Sequence, residues 1–235
     1  MDGHSLREDA AQELVSGRAG STRPRLAPLL VYVCAFHLAW LAWPFVVYPR
    51  LIALGERTFA YAIANLTIRL LVWVAPVLLY LRFVDGVGPL DYLKLRPLGR
   101  REVAVAGALT GINLLGSLAR FGLPHPSMDA ITWNSVLGTS LLVGFIEEIP
   151  YRGFMLQKFA ERVGFWSAGL ITSALFVAIH LPGWLALHMF SVGNVATIFV
   201  FSVVMSLAFK YSKSLWVPIL THSANDFLSF VIFRV

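Results

Sequence analysis

The chain has 235 residues, of which 57% are hydrophobic and only 14% charged, and its mean hydropathy of +0.71 lies far from the mixed balance of a soluble domain. A net charge of +6 does not point to nucleic acid, because the basic residues fall mainly in short segments between apolar runs, as the positive-inside rule expects. The single cysteine, Cys34, excludes an intrachain disulfide and a cysteine-based metal cluster.

Residues 1–26 are polar and mixed in charge, without a short apolar core followed by a cleavage site, so a cleaved signal peptide is not expected and the segment reads as a cytoplasmic tail. The rest, 27–235, reads as one transmembrane domain. A spanning helix needs about 20 mostly apolar residues, and about seven runs of that kind follow, six to eight allowing for the boundaries: Ala27–Tyr48, Phe59–Phe83, Val103–Phe121, Trp133–Gln157, Phe165–Leu181, Gly193–Phe209 and Leu215–Phe233. The predicted fold is therefore all-α, a polytopic helical bundle. Pro182–Val192 reads as a re-entrant or interfacial piece, and Gly107 and Gly111 in the third run have the GxxxG spacing of a helix-packing seam. The basic residues of the tail, with Arg82, Lys94, Arg96, Arg100 and Arg101, predict a cytoplasmic N-terminus. Lys158, Arg162, Lys210 and Lys213 fall on the same side, and only Arg50 and Arg57 oppose it.

FIEEIPYRGF, residues 145–154, sets two glutamates and an arginine inside an apolar run, where each charge near the bilayer centre costs at least about 2.5–3.5 kcal/mol on insertion scales. Charges kept at that cost call for a role. Residues four apart share a helical face, so Glu148 can pair with Arg152 while Glu147 faces elsewhere, uncompensated. Pro150 cannot donate to the carbonyl of Ile146 and predicts a kink one turn from the glutamates. In the fifth run His180 follows Phe176 by four residues. In the seventh, His222 precedes Asn225 by three and Asp226 by four, and a neighbouring carboxylate or amide is the usual means of fixing a histidine's tautomer. Each feature alone is open to a structural reading; together, three late runs supply groups that take, give or hold a proton. For Arg69 a structural or snorkelling role is the simpler account. His37, His125 and His188 have no such partners.

These residues resemble the CPBP intramembrane proteases, which include the CAAX prenyl endopeptidase of the Rce type and the Abi proteins linked to bacteriocin self-immunity. The family pattern is EExxxR, FxxxH, then HxxxN or HxxxD on successive helices, matched here by Glu147, Glu148 and Arg152, by Phe176 and His180, and by His222 and Asp226. YLKLRP at 92–97 and SLWVPILTH at 214–222 add to the likeness, which gives a protease core over about 92–230. Many members carry asparagine where this chain has Asp226, so either Asp226 or Asn225 plays the amide's part.

The resemblance implies an endopeptidase acting on a membrane-associated protein or peptide, multi-pass in a bacterial cytoplasmic membrane, with the lipid bilayer as its other partner and no nucleic acid. Glu147 would take a proton from the attacking water, His180 would hold that water, and His222 with Asn225 or Asp226 would stabilise the oxyanion or protonate the leaving group. Glu148 and Arg152 would support the helix. A metal-free glutamic mechanism, with no cofactor required, is favoured; the alternative is zinc held by Glu147, His180 and His222. A non-proteolytic regulator or a bacteriocin self-immunity protein is the rival function. The predicted spans put Glu147 near mid-membrane, His222 in the cytoplasmic half and His180 near the outer end, and a cavity open to the cytoplasm is expected.

Overall fold

The computed structural model describes residues 26–126 and 128–233, so the predicted polar tail lies, apart from Leu26, outside the described residues. Three long apolar helices come first: α1 (Leu26–Ile52), α2 (Phe59–Val84) and α3 (Arg100–Phe121). A stretch of 44 residues follows, Val143–Ala186, but Gly164 takes φ 76° and ψ 165° and divides it into α4 (residues 143–163) and α5 (residues 165–178). The two lie side by side, with the rings of Tyr151 and Phe176 4.9 Å apart. Then come α6 (Val192–Ser212) and α7 (Trp216–Phe227), the latter continuing as a π-helix over Leu228–Phe233. The result is an integral membrane helical bundle: five stretches are long and apolar enough to cross a membrane, and with Val143–Ala186 divided at Gly164 and α7 added the count is about seven, with no strand among the described residues.

The fourth run is the main departure from the predicted elements. It does not form one helix from Trp133 to Gln157: Trp133–Leu137 is a separate short helix capped by Thr132, and α4 starts only at Val143. The intervening turn is stable in an apolar setting because side chains satisfy its carbonyls. Arg69 of α2 donates to Gly138 O, and Ser223 of α7 donates to Leu141 O at 2.7 Å. The stretch Pro182–Val192 begins within a short helix, Leu181–Ala186, and Ser191 then caps α6 by accepting from Asn194 N at 3.0 Å.

This shift changes the depth of the charged residues. Glu147 is the fifth residue of α4 rather than its midpoint, and His180 lies just past the end of α5. Measured from the Gly164 turn, both stand about 24 Å along their helices, at one level and well away from Lys158, Arg162, Lys210 and Lys213. The bundle thus has a basic end and a carboxylate end. If the basic end is cytoplasmic, the carboxylates lie in the opposite half, and a cavity open to the cytoplasm does not follow.

His222 reaches the same level because α7 begins inside the bundle. Leu215 N donates to Lys94 O at 3.3 Å, and Leu93 and Leu215 close over Gly153, where a Cβ would stand 2.7 and 2.9 Å from their Cδ2 atoms. At the centre of the fold α4 is buried throughout Ile149–Leu156. Its Phe154 ring meets Tyr32 of α1 and Tyr80 of α2, each at 4.9 Å. By contrast α3 buries only Ala106, and a Cβ on Gly107 or Gly111 would meet nothing within 4 Å. The GxxxG spacing forms no seam among the described residues.

Candidate active site

Local sequence brings the carboxylates to the histidine. Gly144 lets α4 touch α7, since a Cβ there would collide with the Ile219 carbonyl and stand 2.6 Å from Ser223 Oγ. One turn later Glu147 and Glu148 reach the level of His222. Beyond them the predicted kink at Pro150 takes the form of a π-helix, Ile149–Leu156, in which the missing proline N–H leaves no α-helical bond to break.

Glu148 is fully buried, and its Oε1 accepts from two sides: Arg152 Nη1 at 3.0 Å and His222 Nδ1 at 2.7 Å. Arg152 also donates from Nη2 to the carbonyl and hydroxyl of Ser202 on α6, at 3.0 and 2.8 Å. The predicted Glu148–Arg152 pair is present, and it carries more than support. Because a carboxylate only accepts, the hydrogen on His222 lies at Nδ1, and Nε2 is turned to the other side. The orienting role expected of Asp226 or Asn225 therefore falls to Glu148. Asp226 Oδ2 stands 3.8 Å from His222 Nε2, beyond hydrogen-bond distance. Asn225 accepts from Asn113 of α3 and donates to Asp226 Oδ1 at 3.0 Å.

Glu147 is not uncompensated. Its Oε1 meets Arg69 Nη2 at 2.8 Å, with both side chains buried, and its Oε2 points towards His222 Nε2 at 4.0 Å. Arg69 neither snorkels nor stands apart: its guanidinium lies 6.0 and 5.6 Å from the ring centroids of Trp40 and Trp73. Alongside, Asn65 donates to Asn134 Oδ1 at 2.8 Å, which ties α2 to the short helix Trp133–Leu137. The sequence does carry a signal for Arg69. It is an arginine in the middle of an apolar run, and the insertion cost that singles out Glu147 applies to it equally.

His180 lies in the turn after α5 and donates from Nδ1 to Phe176 O at 2.8 Å, which frees Nε2. The Phe176 ring packs against both imidazoles, with centroids 5.0 Å from His180 and 6.0 Å from His222. Trp40 Nε1 donates to Ile179 O at 2.8 Å, so the tryptophan beside Arg69 also fixes the turn that carries His180. His37 serves structure: it donates to Val33 O at 2.8 Å and stands 3.2 Å from the Tyr151 hydroxyl. As placed, no three His, Cys, Asp or Glu among the described residues form a group that could hold a metal ion, and Glu147, His180 and His222 do not fit zinc in this arrangement.

The fold and the site define a polytopic membrane protein with carboxylates, guanidiniums and histidines gathered in one buried layer. Residues 129–228 match the family model described as type II CAAX prenyl endopeptidase Rce1-like, in agreement with the CPBP resemblance. At the level of the family, the match supports an intramembrane protease of the CAAX type. It takes in every motif residue from Glu147 to Asp226 and leaves out Arg69, Asn65 and Asn113. No curated protein and no solved structure matches the chain.

Proposed function

We propose that this chain is an intramembrane endopeptidase that hydrolyses a peptide bond of a membrane-associated protein or peptide, with Glu147 activating the water. The observation behind this reading is that Glu147 Oε2 and His222 Nε2 face each other at 4.0 Å. That is too long for a hydrogen bond between them, yet one oxygen atom can contact both. Arg69 occupies Oε1 of the same carboxylate, which leaves Oε2 as the proton acceptor. Water adds to the scissile carbonyl as its proton passes to Oε2. The tetrahedral oxyanion then collapses, the C–N bond breaks, and the amine departs with the proton returned from Glu147.

His222 anchors Nδ1–H on Glu148 and, when protonated, donates Nε2–H to the oxyanion. Protonated His222 also balances the layer, in which Glu147, Glu148 and Asp226 oppose Arg69 and Arg152. His180 presents Nε2 to the same water, and Asn225 steadies Asp226 on the Nε2 side of His222. With the basic end in the cytoplasm, the substrate bond enters from the opposite half of the bilayer.

The test is cleavage by the purified protein in proteoliposomes supplied with membrane-derived peptides, read as new termini by mass spectrometry. Wild type yields new termini and Glu147→Gln does not; equal yields from the two would end the proposal. The zinc alternative needs Glu147, His180 and His222 to draw closer than they stand, although both histidines tie Nδ1 to an acceptor and leave Nε2 open. Full activity of chelator-treated, metal-free protein removes it. A non-proteolytic regulator or immunity protein predicts instead that the cellular phenotype survives Glu147→Ala at normal expression.

A further inference from the structure

The basic end holds a cavity of about 430 Å³ that is separate from the carboxylate layer. Lys94 reaches it from the loop before α3, Lys210 from the last turn of α6, and Lys213 from the turn that leads into α7. Glu161 of α4 is the acidic residue in its wall, and that carboxylate is already engaged by the Tyr92 hydroxyl at 2.8 Å and by Lys158 at 3.7 Å. Lys158 is itself held by Asp85 at 2.7 Å. None of the three cavity lysines has a carboxylate within 4.0 Å among the described residues. The cavity is therefore net positive.

Two of these lysines sit in left-handed backbone, with φ 57° at Lys94 and 56° at Lys213. Glycine takes that conformation more readily and would carry no ammonium. Lys210 Nζ lies 4.2 and 4.7 Å from the centroids of Phe165 and Trp166, and Lys94 Nζ 5.6 Å from that of Phe209. The walls thus combine cations with apolar rings. Along α4 the lining runs from Leu156 to Glu161, which places the cavity within about 12 Å of the Gly164 turn. Fixed cations beside apolar walls at the ends of spans suit an amphiphile with an anionic head better than a free anion, which has no use for the apolar part.

We propose that this cavity holds the phosphate-bearing headgroup of an anionic phospholipid, with Lys94, Lys210 and Lys213 as its cationic ligands. The occupant also has a place in the mechanics of the fold. Lys94 and Lys213 flank the bond from Leu215 N to Lys94 O, so a headgroup bridging them clamps the start of α7, the helix that carries His222. The site does not depend on the proposed peptidase activity.

The experiment reconstitutes the full chain in phosphatidylcholine vesicles containing traces of spin-labelled phosphatidylglycerol or spin-labelled phosphatidylcholine, and compares the immobilised fractions. Wild type prefers phosphatidylglycerol. A single Lys→Gln change at 94, 210 or 213 lowers the preference by up to about fivefold, and the triple change removes it. Lys→Arg at all three positions retains it, which separates loss of charge from loss of fold. Arg100→Gln with Arg101→Gln, at the same end but outside the lining, also retains it. The proposal is overturned if the triple Lys→Gln protein keeps its preference, or if the Arg100 and Arg101 changes remove it as fully. It is equally overturned if the folded triple Lys→Arg protein loses the preference, or if inorganic phosphate at matched ionic strength displaces phosphatidylglycerol from wild type, which would make the ligand a soluble anion.

Discussion

At the carboxylate end Arg69, Arg152 and His222 each meet a carboxylate within the protein, whereas at the basic end Lys94, Lys210 and Lys213 share a cavity whose acidic residue, Glu161, is engaged by Tyr92 and Lys158 instead. The difference follows from where each group stands in the bilayer. Glu147, Glu148, Arg69 and Arg152 are buried between helices, where an unpaired charge has no water to fall back on, so its partners must be built into neighbouring helices. At the interface water and headgroups complete the solvation, and a cation can wait for a ligand. Buried charge therefore records internal architecture, while interfacial charge records what lies outside.

The contrast can be broken at several points. Glu147→Gln preserves a hydrogen-bonding oxygen for Arg69 but not the base, and cleavage should fall about a thousandfold in a single-turnover peptide assay. Arg69→Met strands the Glu147 charge and should cost about 3–5 kcal/mol in denaturant unfolding of the detergent-solubilised protein, with much of the loss recovered when Glu147→Gln is added. A cost near zero would mean that the pair is solvated and that the two ends do not differ. Gly144→Ala drives a methyl into the Ile219 carbonyl and should destabilise by about 1–3 kcal/mol, with a parallel loss of cleavage as His222 is displaced from Glu147. Lys210→Gln should leave unfolding within about 0.5 kcal/mol of wild type, as should Gly107→Ala with Gly111→Ala, whose new methyls meet open space.

Much of this was legible in the residues. Length and apolarity gave most of the spans, because in a bilayer they are the physical requirement. The i,i+4 rule gave the Glu148–Arg152 pair, because both residues lie in one helix. The break in the first half of the fourth run leaves little trace in sequence, since Gly138, Thr139 and Ser140 stand between apolar residues, and the groups that stabilise it, Arg69 and Ser223, come from other helices. For the same reason the partner of Glu147 lies 78 residues away in sequence, and no local spacing announces it. Glu148 as the orienter of His222 was hidden likewise, behind a nearer candidate, Asp226. A glycine such as Gly144, whose value is the side chain it lacks, leaves no chemical signature in a single sequence.

The brevity of α5 has a consequence for the surrounding lipid. Residues 165–178 make about 21 Å of helix, well short of a hydrocarbon core of about 30 Å. The chain continues into the short helix Leu181–Ala186, with Leu185, Leu187, Met189 and Phe190 exposed; where this segment lies flat rather than upright, the acyl chains around His180 shorten to meet it, at a cost of a fraction of a kcal/mol per Å of mismatch. The thinning falls beside the carboxylate layer and shortens the path from water to Glu147. Vesicles of graded acyl length should show it: short-chain lipids will favour the reactive state, and long-chain lipids will bury the notch and slow turnover.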